Sequence, residues 1–130
     1  MQTNPYMQDF DCLSLLQNVM QSKLTEASQY LKKLEICKNS RVLLNRYMLT
    51  NIFEIQEEQN DFIEIVHKQC RIWRSHSPGS TQENQVARLE KSTERLEGIT
   101  YHILFLAEQI KKTMDTPAHP VNDAETEVTR

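Results

Sequence analysis

Residues 77–114 read SPGSTQENQVARLEKSTERLEGITYHILFLAEQIKKTM, and this stretch decides the class of the fold. Ser77-Pro78-Gly79 is a turn. Ser80 and Glu83 then form a capping box, in which the hydroxyl accepts from the backbone N–H three residues on and the carboxylate reaches back. From there Val86, Leu89, Leu96, Ile103, Ala107, Ile110 and Met114 keep a three-four rhythm, which puts them on one stripe of one helix. Ile99, Leu104, Phe105 and Leu106 widen the stripe in its second half. Gly98, in mid-helix, costs about 1 kcal/mol against alanine and marks either a close approach of another helix or nothing. Thr116-Pro117 ends the helix.

The same rhythm occurs twice upstream. Residues 9–38 carry Leu13, Leu16, Met20, Leu24, Ala27, Leu31 and Leu34 on one stripe, with Asn4-Pro5 as an alternative, earlier helix start. Residues 41–74 carry Val42, Leu49, Ile52, Ile63, Val66, Cys70 and Trp73. The middle of this second segment, 56–61, has no apolar residue, so Gln56 and Gln59 occupy its stripe. Its first half is too wide for one stripe, because Leu43, Leu44, Tyr47, Met48, Phe53 and Ile55 lie off it. Between the first two segments, Asn39 suits a left-handed helix end and Ser40 a helix cap, which favours a hairpin over one continuous helix. The expectation is an all-α, antiparallel, up-down-up bundle over 1–114, with the wide half of the second helix beside the wide half of the third. A disordered acidic tail over 115–130 follows, with four acids, one base and two prolines.

Composition agrees. Two glycines and four prolines in 130 residues disfavour sheet-rich folds. Gly79 and Gly98, nineteen positions apart, exclude any phosphate-binding turn that needs two glycines. The stretches free of charge, at 12–22 and 98–107, are too short to span a bilayer, which takes about 20 residues. Residues 1–10 carry no base and no cleavage signal follows, so a secretory leader is not expected. Three cysteines point to a reducing, cytoplasmic setting.

Chemistry-bearing patterns are sparse. His67, His76, His102 and His119 show no triad context, and no enzymatic activity is expected. Glu64 and His67 make a Glu-x-x-His pair of the kind that holds metal in ferritin-like bundles, but the second such pair is missing. The face that also carries Glu57, Asp61 and Lys68 therefore reads as solvated, opposite Arg88, Lys91 and Arg95. His67, Cys70 and His76, with Cys12 brought near by a hairpin, are a weak zinc constellation that matches no standard spacing. No cofactor is expected.

Two surface features remain. Lys32, Lys33, Lys38, Arg41 and Arg46, joined by Lys111 and Lys112, gather at one end of a body that holds fourteen acids and fourteen bases over 1–114. Such a patch suits an anion or a nucleic acid, or serves only to complement helix C-termini. The second is apolar excess: Leu43, Leu44, Met48, Ile55, Leu104 and Phe105 are too much to leave in water. The function expected is a non-catalytic helical interaction or assembly protein, adaptor or chaperone-like. Its partners are a second copy of itself in a homodimer and a further protein, with nucleic-acid binding through the basic end as the alternative.

Overall fold

A row of residues seven apart, Leu13, Met20, Ala27 and Leu34, is buried along the first helix, α1 (Leu13–Asn39). Seven residues are close to two turns, so such a row holds one face toward one neighbour. The computed structural model describes residues 12–39, 44–76 and 79–115, and in them two further helices follow, α2 (Arg46–Ser75) and α3 (Ser80–Asp115). On α1, Gln17 Nε2 donates to the Gln85 carbonyl at 2.9 Å, and Lys38 Nζ donates to Gln109 Oε1. The numbers rise together, so α1 and α3 run the same way. His67 meets Glu97 at 3.4 Å and Arg74 meets Glu90 at 2.6 Å, so α2 runs against α3. Successive helices are therefore antiparallel, in the expected order up, down, up.

The helix α3 is the centre of the arrangement. It lies along both α1 and α2, whose backbones approach it more closely than they approach each other. Its row Val86, Leu89, Thr93, Leu96, Thr100, Ile103 and Ala107 is buried throughout. The two threonines had been passed over by an apolar pattern. Thr93 is admitted because its hydroxyl donates to the Leu89 carbonyl at 2.6 Å, four residues back on its own helix. The core falls into two clusters. One joins Met20, Leu24, Ile63, Val66, Trp73 and Leu89 with their neighbours, the other Leu34, Leu44, Leu49, Ile52, Ile103 and Leu106. Ile99 packs against both. In chain order Gln56 separates Ile52 from Ile63, and Thr100 separates Leu96 from Ile103, so α2 and α3 each change cluster at a buried polar side chain. The wide halves of α2 and α3 do meet, in the second cluster.

The helix ends differ from expectation in two places. The helix α2 starts at Arg46 and not at 41, because Asn45 caps it: the Asn45 side-chain oxygen accepts from the Met48 N–H at 2.8 Å. Ser40, Arg41, Val42 and Leu43 lie outside the described residues. The cap of α3 is one residue earlier than Ser80. The Gly79 carbonyl accepts from the Glu83 N–H at 2.9 Å, so Gly79 is the N-cap residue and Ser80 is the first helical one. The segments 1–11 and 116–130, with the expected early start and acidic tail, also lie outside the described residues. Among the described residues, no helix is long and apolar enough to cross a membrane.

Gly98 marks no close approach, since a Cβ there would meet nothing within 4 Å. Its cost as a helical glycine is thus unrecovered by packing. Gly98→Ala is expected to stabilise the chain by about 0.5–1 kcal/mol in urea unfolding. An unchanged or lowered midpoint would mean that the backbone freedom at 98 is used.

Candidate functional site

On the side facing away from α3, the separation of α1 from α2 leaves a groove. A sequence of three hollows runs along it. At one end Cys12, Leu15 and Val19 face Ile65, Gln69 and Trp73 around about 340 Å³. In the middle Lys23, Glu26 and Tyr30 face Ile55, Gln56 and Glu58 around about 370 Å³, with Ile103 of α3 at the floor. At the other end Tyr30, Lys33 and Cys37 face Tyr47, Met48 and Asn51 around about 240 Å³. The two end hollows are apolar in lining and the middle one is mixed. Lys23 spans the groove near its centre, with Nζ 4.8 Å from the centroid of the Phe62 ring.

The α1 wall is a second stripe, Cys12, Leu16, Val19, Lys23, Glu26 and Tyr30, in the same four-three rhythm as the buried row beside it. A single-stripe reading of 9–38 missed it. The signal was there in Leu15, Val19 and Tyr30, which fit no one-face helix. The α2 wall, by contrast, includes residues that sequence pattern had singled out. Met48 (44% exposed) and Ile55 line the groove. Leu44 reaches it too but is only 8% exposed, and it packs with Leu34 and Leu49, so it is a core residue and not a free surface one. Leu104 is half-buried, and Phe105, half exposed, lies with Leu104 on α3 apart from the groove lining. Of the interface candidates, Met48 and Ile55 thus line the groove, while Leu104 and Phe105 lie apart from it; Leu43 lies outside the described residues.

Polar groups in the groove are incompletely matched. Gln56 is 2% exposed and its Oε1 has no hydrogen-bond partner among the described residues; neither has the buried Nε2 of Gln69. Burial without a partner costs about 1–3 kcal/mol for such a group.

Elsewhere the charged side chains serve the helix seams. Arg74 grips Glu90 with two hydrogen bonds, Nε at 2.8 Å and Nη2 at 2.6 Å. The Arg74 bond holds the Glu90 carboxyl below the usual glutamate range, and the same bond raises the guanidinium. Glu90 and Glu97, seven apart on α3, are thus what Arg74 and His67 meet, and not the expected facing of acids on α2 toward Arg88, Lys91 and Arg95. The heptad register presents the acidic positions of α3 at this seam.

The weak metal candidates do not converge. Glu64 is exposed, His67 turns to Glu97, Cys70 is buried in the first core cluster, and His76 stands at the end of α2 with Nδ1 2.8 Å from the Ile72 carbonyl. Among the described residues, no three His, Cys, Asp or Glu side chains come close enough to share an ion. Burial, followed by the charge of Glu90, pushes the Cys70 thiol up to about 12, which keeps it protonated and unreactive. Ser75 Oγ lies 3.0 Å from His76 Nδ1, but it donates to the Ile72 carbonyl at 2.7 Å in an exposed helix end. At the opposite end of the bundle, Lys38 beside Gln109 brings the C-termini of α1 and α3 together, so Lys32, Lys33, Lys38, Arg46, Lys111 and Lys112 share one exposed end. Arg41 lies outside the described residues.

No family model, curated protein or solved structure matches the chain.

Two measurements check this geometry. Gln56→Met removes an unmatched acceptor while keeping the volume, and is expected to raise stability by about 1 kcal/mol. A loss would show that Gln56 is hydrogen-bonded after all. The second concerns pH. A depressed Glu90 contributes stability that is present in full above its unfolded pKa, about 4.3, and is lost as pH falls through the lower folded value. The difference in urea midpoint between the wild-type chain and Glu90→Gln should therefore be widest above about pH 5 and narrow as the pH falls through the folded value. A gap independent of pH would place its origin outside the ion pair.

Proposed function

We propose that the chain is a non-catalytic helical interaction protein, an adaptor or chaperone-like assembly factor, whose contact surface is the groove between α1 and α2. One observation carries this reading: two antiparallel helices present a row of partly apolar hollows that no third element among the described residues covers. Leu15 and Ile65, each 64% exposed, face each other across it beside Val19, and Tyr47 and Met48 stand at its far end. Large side chains left in water each forgo about 1.5–3 kcal/mol of burial, and grooves of this form take an apolar helix face. The partner then supplies the layer that three helices leave incomplete. Three hollows aligned in one helix groove, beside Arg74–Glu90 and His67–Glu97 pairs that serve the α2–α3 seam, support binding over catalysis.

A second reading is favoured by the meeting of α1 and α3 at their C-terminal ends, which gathers lysines into one exposed patch. There the chain acts as a nucleic-acid-binding regulator. Contact through phosphates weakens steeply with salt, whereas an apolar groove does not.

The test charges the groove without touching the core. Met48→Glu combined with Ile65→Glu should leave helical content and melting behaviour near wild type while abolishing association in sedimentation at micromolar concentration. Phe105→Glu, away from the groove, should leave association intact. If the doubly charged variant associates as the wild type does, the groove is not the contact surface. If binding instead goes to DNA or RNA, fades with salt and is lost in Lys38→Glu with Lys111→Glu, the second reading replaces the first.

A further inference from the structure

The groove has a pattern along its length that bears on what fills it. On α1 its lining begins at Cys12 and ends at Cys37, about 38 Å apart at 1.5 Å per residue. Its midpoint falls between Leu24 and Thr25. Immediately before that point stands Lys23, and immediately after it stands Glu26, with Glu58 of α2 bordering the same hollow. The apolar stretches lie beyond, one toward each end. Charge of opposite sign on either side of the centre, with apolar surface outside it, is the pattern of a surface that complements itself when reversed end for end.

We propose that the occupant is the same groove of a second copy, the two chains related by a two-fold axis crossing the groove at its midpoint. This rests on the reading of the groove as the contact surface and names its partner. Under this symmetry Lys23 of each chain meets Glu26 of the other, so the central charges of α1 are paired twice. Copies set side by side in the same direction instead place Lys23 level with Lys23 and Glu26 level with Glu26, which repels. The apolar end carrying Leu15, Val19 and Ile65 falls on the end carrying Tyr47 and Met48.

The area suffices. A face about 38 Å long and two helix diameters wide, about 20 Å, gives roughly 750 Å² per chain. The total of about 1,500 Å² is that of a standard stable interface. The product is a four-helix layer of two α1 and two α2, with an α3 on each outer side.

The native cysteines report the geometry directly. Reversal sets Cys12 of one chain against Cys37 of the other, whereas within one chain they are about 38 Å apart, beyond any short linker. Full-length protein at micromolar concentration, treated with a short bis-maleimide, should give a covalent dimer whose linked peptides join position 12 to position 37. Cys12→Ser and Cys37→Ser each abolish that product when alone, a mixture of the two restores it in part, and Cys70→Ser leaves it unchanged. Lys23→Glu should weaken the dimer at least about tenfold, the scale of one charge pair in a partly dry seam. Lys23→Glu with Glu26→Lys should recover part of the loss.

Links joining 12 to 12 or 37 to 37 overturn the reversed arrangement. So does a groove-dependent association that yields no 12-to-37 link, which leaves the groove as contact surface with a different occupant. A chain that stays monomeric and finds no groove-dependent partner overturns both this proposal and the functional reading beneath it.

Discussion

Leu89, Leu96 and Ile103 stand seven residues apart on α3, each at most 1% exposed, and the packing of that one row against two helices at once is what every other contact requires. The helices α1 and α2 are each ordered by α3 and much less by each other. A truncation within the row, such as Leu96 to alanine, removes atoms shared by both seams, in a class of change that costs about 2–5 kcal/mol. The groove is the other face of the same fact: two helices fixed from behind by a third need not close in front.

The register of α3 on α2 is set by charge and polarity as much as by volume. Arg74 with Glu90 and His67 with Glu97 repeat at an interval of seven on both helices, so a slip of one residue would part both pairs together. Gln56 and Thr100 lie where the two core clusters meet. Buried polar residues at a single layer lower stability, and in related helical assemblies they single out one alignment among several.

Much of the fold was legible because periodicity reports it. The rows at Leu13–Met20–Ala27–Leu34 and Leu89–Leu96–Ile103 are regular, and polar Gln56 stood visibly on an otherwise apolar stripe. What periodicity does not report is which of two neighbouring stripes meets an intramolecular partner. Leu44 looked like surplus surface because it lies off the Leu49–Ile52 stripe, yet its place just before the Asn45 cap tucks it against Leu34. Leu15 and Val19 looked incidental and line the groove. Caps were misread by a few residues for a related reason: Ser40 and Asn45 are equally good caps by type, and only the geometry that sets the Asn45 oxygen on the Met48 N–H distinguishes them. The metal constellation failed because residue spacing fixes the face of a helix but not the depth, and Cys70 is inside while Glu64 and His76 are outside.

The central position of the last helix also governs how the chain comes to be folded. Contacts from α1 to α3 join residues about seventy apart in sequence, such as Gln17 with Gln85 and Gln21 with Ser92. Helical bundles ordinarily fold fast because their contacts are local, but here half of the seam is distant and must await loop closure over the whole of α2. During synthesis α1 and α2 emerge well before α3, and until it follows they have neither their shared backing nor enough mutual contact to replace it. The nascent chain therefore passes through an interval in which the faces meant for α3 are as open as the groove, and the cell must bridge that interval by speed or by protection.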